Sequence, residues 1–281
     1  RYTYAEANLG RFSGGTDMTQ DWSDVVGSLR GIYSLNTCWS IYGGLSQAFR
    51  APNLDDLTGN LTAKSGSTAL GSVDVDPEKF LTYEIGTRHH TETTSLNLAV
   101  FYTDVAELIT ASFTDSTLGT TIATNAGEGY VYGVELEGAW RFHPQWTLSG
   151  FAAWSDGRTE SPTFLGGPIE DKPNTRSLPL TGSVALRWDD ASHKYWLEGR
   201  VLAADTEDRI TLADQTADNQ RIPTNGTPGY VVASLHAGWH VNEHLDLTCG
   251  IENLTDEDYR NHGSGQNEPG LSGIIGVKAK W

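Results

Sequence analysis

Long apolar runs are missing from this chain. No stretch of about 18 apolar residues occurs in its 281 residues, so no transmembrane helix is expected. That test is blind to strands, because only every second residue of a transmembrane barrel meets lipid. Basic residues are scarce as well: 19 Lys and Arg stand against 36 Asp and Glu, for a net charge of −17. A nucleic-acid partner is therefore not expected, since neutralising phosphate takes clustered cations. Cysteine is limited to Cys38 and Cys249. The pair makes neither a disulfide framework nor a metal spacing, and both are expected as free thiols on well-separated strands.

Catalytic and metal signatures are lacking too. There is no Gly-x-Ser-x-Gly element and no Ser/His/acid set that can be placed together, so no enzyme activity is expected. The loop acids Asp55, Asp56, Asp205, Glu207, Asp208, Asp214 and Asp218 show no compact calcium-loop spacing. An oxygen site needs six to eight converging groups, so solvated acids are the better reading. His240 and His244 have a metal spacing only on a helix, and here they fall in a short turn. No resident metal or cofactor is expected. The opening "RYTYAEANLG" alternates like a strand and lacks the charged start and apolar segment of a leader. The chain is expected to be mature, or a piece of something larger.

What the chain does have is period-two alternation. In "YVYGVELEGAW", Tyr130, Tyr132, Val134, Leu136 and Trp140 share one face; Gly133, Glu135, Glu137 and Ala139 share the other. "WTLSGFAAW", "PLTGSVALRW" and "LDLTCGIEN" repeat the pattern. Segments of this length, at about 3.3 Å per residue and a tilt near 40°, span roughly 25 Å. That matches the apolar band of an outer-membrane barrel, with Trp146 and Trp154 near its two rims. About twelve strands are expected, near 1–8, 23–34, 38–49, 79–88, 95–110, 129–140, 146–155, 179–188, 194–204, 229–239, 244–254 and 271–281. Their connections alternate in length. "HHTETT", "RFHPQ" and "HVNEH" are short; Arg50–Glu78, Ala111–Glu128 and Asp156–Leu178 are long. A transmembrane barrel sorts its turns and loops this way, whereas a soluble β-sandwich has no reason to. The terminal strand sets Lys278 and Lys280 opposite an apolar face that ends at Trp281, which places Asp246 beside both lysines across the strand pair.

Five stretches carry a family likeness: "YGGLSQAFRAPNLDDL", "VDPEKFLTYEIGTR", "FYTDVAELI", "NAGEGYVYGVELEG" and "IENLTDEDYRNHGSGQNEPG". In this order and at these strand and loop positions, the chain from Asp21 onward resembles the C-terminal part of a TonB-dependent outer-membrane receptor. It departs from the pattern at Leu271, where many members carry Arg. The resemblance implies an all-β fold: a transmembrane antiparallel up-and-down barrel, with residues 1–281 as one barrel region of a wall that has 22 strands in the family. It implies energy-coupled uptake of a scarce solute such as a ferric siderophore, haem, cobalamin or a glycan. It also implies three partners: the outer-membrane bilayer, a plug domain with the remaining strands, and the TonB complex acting through the plug. A self-contained 12-stranded pore or adhesin is the alternative.

Candidate residues follow from position. Arg50 and Asp55, where strand becomes loop, and Arg260 and His262 in the last long loop, are candidates for solute contact. Arg209 and Arg221 are further loop cations that an anionic ligand could use. Glu84, Arg88, Glu135, Glu137, Arg187 and Glu252 fall on the lumen-facing parity and are candidates for plug contact, although a wet lumen needs polar side chains in any case.

Overall fold

The computed structural model describes residues 1–9, 18–62, 68–114, 119–174, 177–211, 213–215 and 221–280. Asp218 and Trp281 lie outside these residues. The chain opens with the hairpin β1 (Tyr2–Leu9) and β2 (Met18–Val25). Next come β3 (Ser28–Ser34), β4 (Trp39–Arg50), the short helix α1 (Leu54–Thr58), and the small strands β5 (Asn60–Thr62) and β6 (Thr68–Leu70). Three long strands continue the wall: β7 (Glu78–His90), β8 (Thr94–Phe113) and β9 (Thr120–His143). They are followed by β10 (Trp146–Pro162), β11 (Ile169–Pro173), β12 (Thr181–Asp189) and β13 (Tyr195–Ala204). The last strands are β14 (Tyr230–Asn242), β15 (Leu245–Glu252) and β16 (Ser272–Ala279).

The wall runs in the order β16-β15-β14-β13-β12-β10-β9-β8-β7-β4-β3, every neighbouring pair antiparallel. Its end strands β3 and β16 do not pair with each other, so the barrel is not closed. Each expected strand is present. The one read as 23–34 is broken at Val26 and Gly27 into β2 and β3, which pair on opposite edges, with β1 and with β4. Several expected loop stretches hold strand, and Arg50–Glu78 contains β5 and β6. The connection read as Ala111–Glu128 shrinks to 114–119, because β8 and β9 stay paired up to Phe113↔Thr121. Likewise β10 runs on to Pro162 and is flanked by β11. The small polar residues of these extensions alternate poorly, so pairing rather than pattern defines them.

Register divides the wall into two faces. Leu148, Leu186, Leu197 and Leu235 lie on the outer one, each 38–44% exposed. An apolar face this continuous is far larger than a soluble monomer leaves bare. Aromatic residues bound it at both ends. At the long-loop end the rings of Tyr83, Tyr102, Tyr130, Tyr132 and Trp154 form a chain with centroid spacings of 5.5–6.4 Å. At the short-turn end stand Trp39 on His89, Trp140 with Phe142, and Tyr195 on Trp239.

The inner face is polar, and its glycines have a specific packing role. A Cβ on Gly86 would strike the Tyr42 ring; Phe101 covers Gly133 in the same manner, Trp196 covers Gly238, and His236 covers Gly250. Each ring from one strand covers a bare backbone position on the next, which restores contact that glycine forfeits. The expected lock at the terminal hairpin is present: Asp246 is in register with Lys278, and Lys280 Nζ is 3.2 Å from its carboxylate.

Candidate functional site

The two groups of loop candidates sit where the wall passes into the long loops. At the first joint, β4 ends at Arg50, and Pro52 cannot donate to a ladder, so pairing stops. Asn53 then caps α1. Its side chain accepts from Asp56 N at 2.9 Å, and the Asp56 carboxylate accepts from Asn53 N at 2.9 Å. This reciprocal box is readable from the Asn-x-x-Asp spacing. Arg50 donates through Nε to Glu78 Oε2 at 2.5 Å and through Nη1 to Asp56 Oδ2 at 2.9 Å. Glu78, only 3% exposed, also accepts from Ile109 N at 2.9 Å. Asp55 is exposed on α1.

A third motif completes this joint. Asn125 accepts from Asp76 N at 2.6 Å and donates to Asp76 O at 2.8 Å and Glu107 O at 2.7 Å. Glu107 has a left-handed backbone (φ 59°) at the bulge in β8, and Asn125 braces that strained residue. Sequence reasoning did not single out Glu78 or Asn125. The Pro-Glu and Asn-x-Gly elements that carried the family likeness were the available signal.

The second joint is the loop between β15 and β16. Asn253 is 1% exposed with φ 52°; its Nδ2 donates to Glu257 O at 2.8 Å and Pro269 O at 3.2 Å, and its Oδ1 accepts from Glu257 N at 2.8 Å. Asp256 accepts from Leu271 N at 2.8 Å, and a Cβ at Gly270 would collide with that carboxylate. Within this frame Arg260 Nε donates to Asn267 at 2.7 Å. His262 is buried, with Nδ1 2.9 Å from Thr227 Oγ1 of the β13–β14 loop. Tyr230 reinforces the contact between the two loops by donating to Asn261 at 2.8 Å and by setting its ring 4.5 Å from that of Tyr259, tilted at 44°. Thr227 is paired by backbone to Glu207, which is 1% exposed and grips Arg209 at 2.6 and 3.0 Å; Arg209 also reaches Asp156 at 2.8 Å. Burial pushes the His262 pKa below its ordinary value. Arg209 acts in the same direction, while Glu207 and Asp214 oppose it. Among the described residues no bond joins the Arg50–Asp55 corner to the Arg260–His262 loop.

The inner-face candidates divide into two sets. Arg88, Glu135 and Glu137 line a concavity across β7 to β13 together with Asn97, Phe151 and Arg200. There Arg88 stacks 4.5 Å over the Tyr42 ring, whose hydroxyl donates to Asn97 at 3.2 Å. Glu84, Glu135 and Glu137 have no ion pair among the described residues. The second set is bonded within the sheet. Arg187 pairs with Asp189 at 2.9 Å and lies 4.3 Å over Trp196; Glu252 meets His236 at 2.6 Å; Arg200 meets Glu198 at 2.7 Å. Among the described residues, no group of three or more His, Cys, Asp or Glu could hold a metal ion.

Similarity to known proteins agrees with this geometry. Residues 1–254 match the family described as TonB dependent receptor-like, beta-barrel. The chain is 26% identical over 263 residues to the pesticin receptor of Yersinia enterocolitica, covering 92% of this chain and 35% of the receptor. It is 25% identical over 214 residues to a probable TonB-dependent siderophore receptor, PiuA, of Acinetobacter baumannii, covering 74% of this chain and 28% of that protein. The solved copper transporter OprC superposes with a TM-score of 0.79 at 19% identity, over 99% of this chain and 44% of that one. The chain thus spans about a third of the length of the curated relatives it matches.

Proposed function

The chain belongs to the TonB-dependent receptor β-barrel family, and on that premise we propose that it is the C-terminal wall of an outer-membrane receptor that imports a scarce solute by TonB-coupled transport. The observation that carries this reading is the exposed apolar outer face held between two aromatic bands. Such a face is stable in a bilayer, with the rings at headgroup depth. The PiuA likeness favours a ferric siderophore over haem, cobalamin or a glycan.

In this reading the inner face receives a plug domain. Glu84, Glu135 and Glu137, which have no ion pair among the described residues, favour plug contact over the internally bonded stretch around Arg187 and Glu252. The open edges of β3 and β16 take up the remaining strands of the same receptor. TonB acts on the plug and does not touch this wall. A self-contained 12-stranded pore is less well supported, because it would have to close on β3 and β16.

The test is uptake. Cells that lose the gene should lose saturable, energy-dependent accumulation of a ferric siderophore, and the full gene should restore it only when TonB is present. Unchanged accumulation in the deletion strain, or restoration without TonB, would overturn the reading.

A further inference from the structure

The charges at the long-loop end say what kind of solute it favours. The chain has 36 acidic and 19 basic residues. Towards the short turns the inner face holds the ion pairs Arg187–Asp189, Arg200–Glu198 and Lys280–Asp246, with Arg88 lining the same concavity as Glu135 and Glu137. At the other end, among the described residues, Asp55, Asp74, Asp205, Asp208, Glu257 and Asp258 are all exposed. A mouth lined by one sign of charge sets up a field that concentrates counter-ions and repels co-ions over roughly a Debye length, ~8–10 Å.

Among the described residues, four cations at this end are held by carboxylates, whereas Arg260 donates to the amide oxygen of Asn267. Arg50 is held by Glu78 and Asp56, Arg158 by Asp171 at 2.6 Å, Arg209 by Glu207 and Asp156, and Lys172 by Glu170 at 3.8 Å. Arg209 spans two carboxylates, one of them almost fully buried. An anionic solute would have to compete with a carboxylate at each of these four, and displacing Glu207 would leave a buried charge without its partner. Lys79 is exposed, but by register it projects from the outer face alongside Phe49, away from the mouth.

We propose that the solute taken at this end is neutral or cationic, and that multiply charged anionic chelates are turned away by the field and by the carboxylates that already hold Arg50, Arg158 and Arg209. The proposal rests on the receptor reading above and narrows its solute class.

The first arm of the test does not depend on the solute. In the full-length receptor carrying Cys38→Ser and Cys249→Ser, Leu54→Cys places a thiol at an exposed site beside Asp55. After correction for intrinsic reactivity, a cationic methanethiosulfonate should react about tenfold faster than an anionic one, and the ratio should fall towards one at high salt. Equal rates, or a faster anionic reagent, would overturn the proposal. The second arm compares binding of a neutral or monocationic ferric trihydroxamate with a multiply anionic ferric tris-catecholate. Tighter catecholate binding would overturn the proposal too. If neither chelate binds, the siderophore reading fails, and the thiol ratio still decides whether the mouth repels anions.

Discussion

Arg50 Nε lies 2.5 Å from Glu78 Oε2, so the last residue of β4 is bonded to the first residue of β7 across the whole loop between them. The loop that leaves the wall after Arg50 is thus clasped at its base, and its residues emerge from a fixed point. Glu78→Gln removes the charge that holds Arg50 while leaving an acceptor for Ile109 N. Arg50 is 41% exposed and can rehydrate, so the cost is expected near the lower end of the ~1–3 kcal/mol range for a lost charge-assisted bond. Glu78→Ala also orphans Ile109 N and should cost more. Thermal unfolding in detergent, followed by the loss of heat-resistant migration on gels, ranks the two.

The Asn125 brace predicts a local effect. Asn125→Ala removes three hydrogen bonds that span Asp76 and Glu107, so the left-handed Glu107 loses its support. Protease cleavage near 105–110 should accelerate several-fold, with little change in the global unfolding midpoint. An unchanged cleavage pattern would show that the bulge holds itself.

These joints mark the limit of what the sequence discloses. Tyr130 to Trp140 alternates because one face meets an apolar medium, and that constraint is written residue by residue. Asp246 and Lys280 were legible for a related reason: a short hairpin sets the register between them. The extensions of β8 and β9 alternate poorly, and Ala123 is buried against Leu57 and Val75 of the neighbouring loop, so pairing rather than pattern makes them strands. Arg50 read as a candidate for solute contact because its partner Glu78 lies 28 residues away, and nothing local announces that pairing.

The two cysteines give a placement test. Cys249 lies exposed on the outer face in register with Ala237 and Ile275, whereas Cys38 sits in the turn before β4. In intact outer membranes a membrane-permeant maleimide should label Cys249 and a charged, impermeant one should not. Once the membrane is opened from the short-turn side, the charged reagent should reach Cys38. Rapid labelling of Cys249 by the charged reagent would place that face in water.

Acid should loosen the two docked loops. His262 is buried against Thr227, and its pKa lies below the ordinary 6.5, chiefly because burial disfavours the charged ring. A base with a depressed folded pKa binds its proton more readily once undocked, so acid favours undocking. Docking is fully favourable above pH 6.5 and weakens as the pH falls beneath it. Amide exchange in residues 253–271, compared at pH 7.5 and 5.5 after correction for intrinsic rates, should show reduced protection at the lower pH. His262→Gln should abolish that difference. Protection that rises in acid would mean that Glu207 and Asp214 outweigh desolvation.

Asn253 separates hydrogen bonding from backbone strain. It is left-handed at φ 52°, a conformation that asparagine tolerates better than most residues, and its amide uses both polar ends. Asn253→Asp keeps the acceptor for Glu257 N but sets a carboxylate against the carbonyls of Glu257 and Pro269. In a site 1% exposed that repulsion has no solvent to screen it. Asn253→Gly removes all three bonds but relieves the backbone, offsetting roughly 1 kcal/mol. The expected order of stability is therefore wild type, then Gly, then Asp, read from unfolding midpoints in detergent at neutral pH. Lowering the pH towards the carboxylate range should bring the Asp variant back towards the Gly variant, because a protonated carboxyl can again donate. An Asp variant as stable as wild type at neutral pH would show that the Nδ2 bonds contribute nothing, and that Asn253 is needed only for its turn.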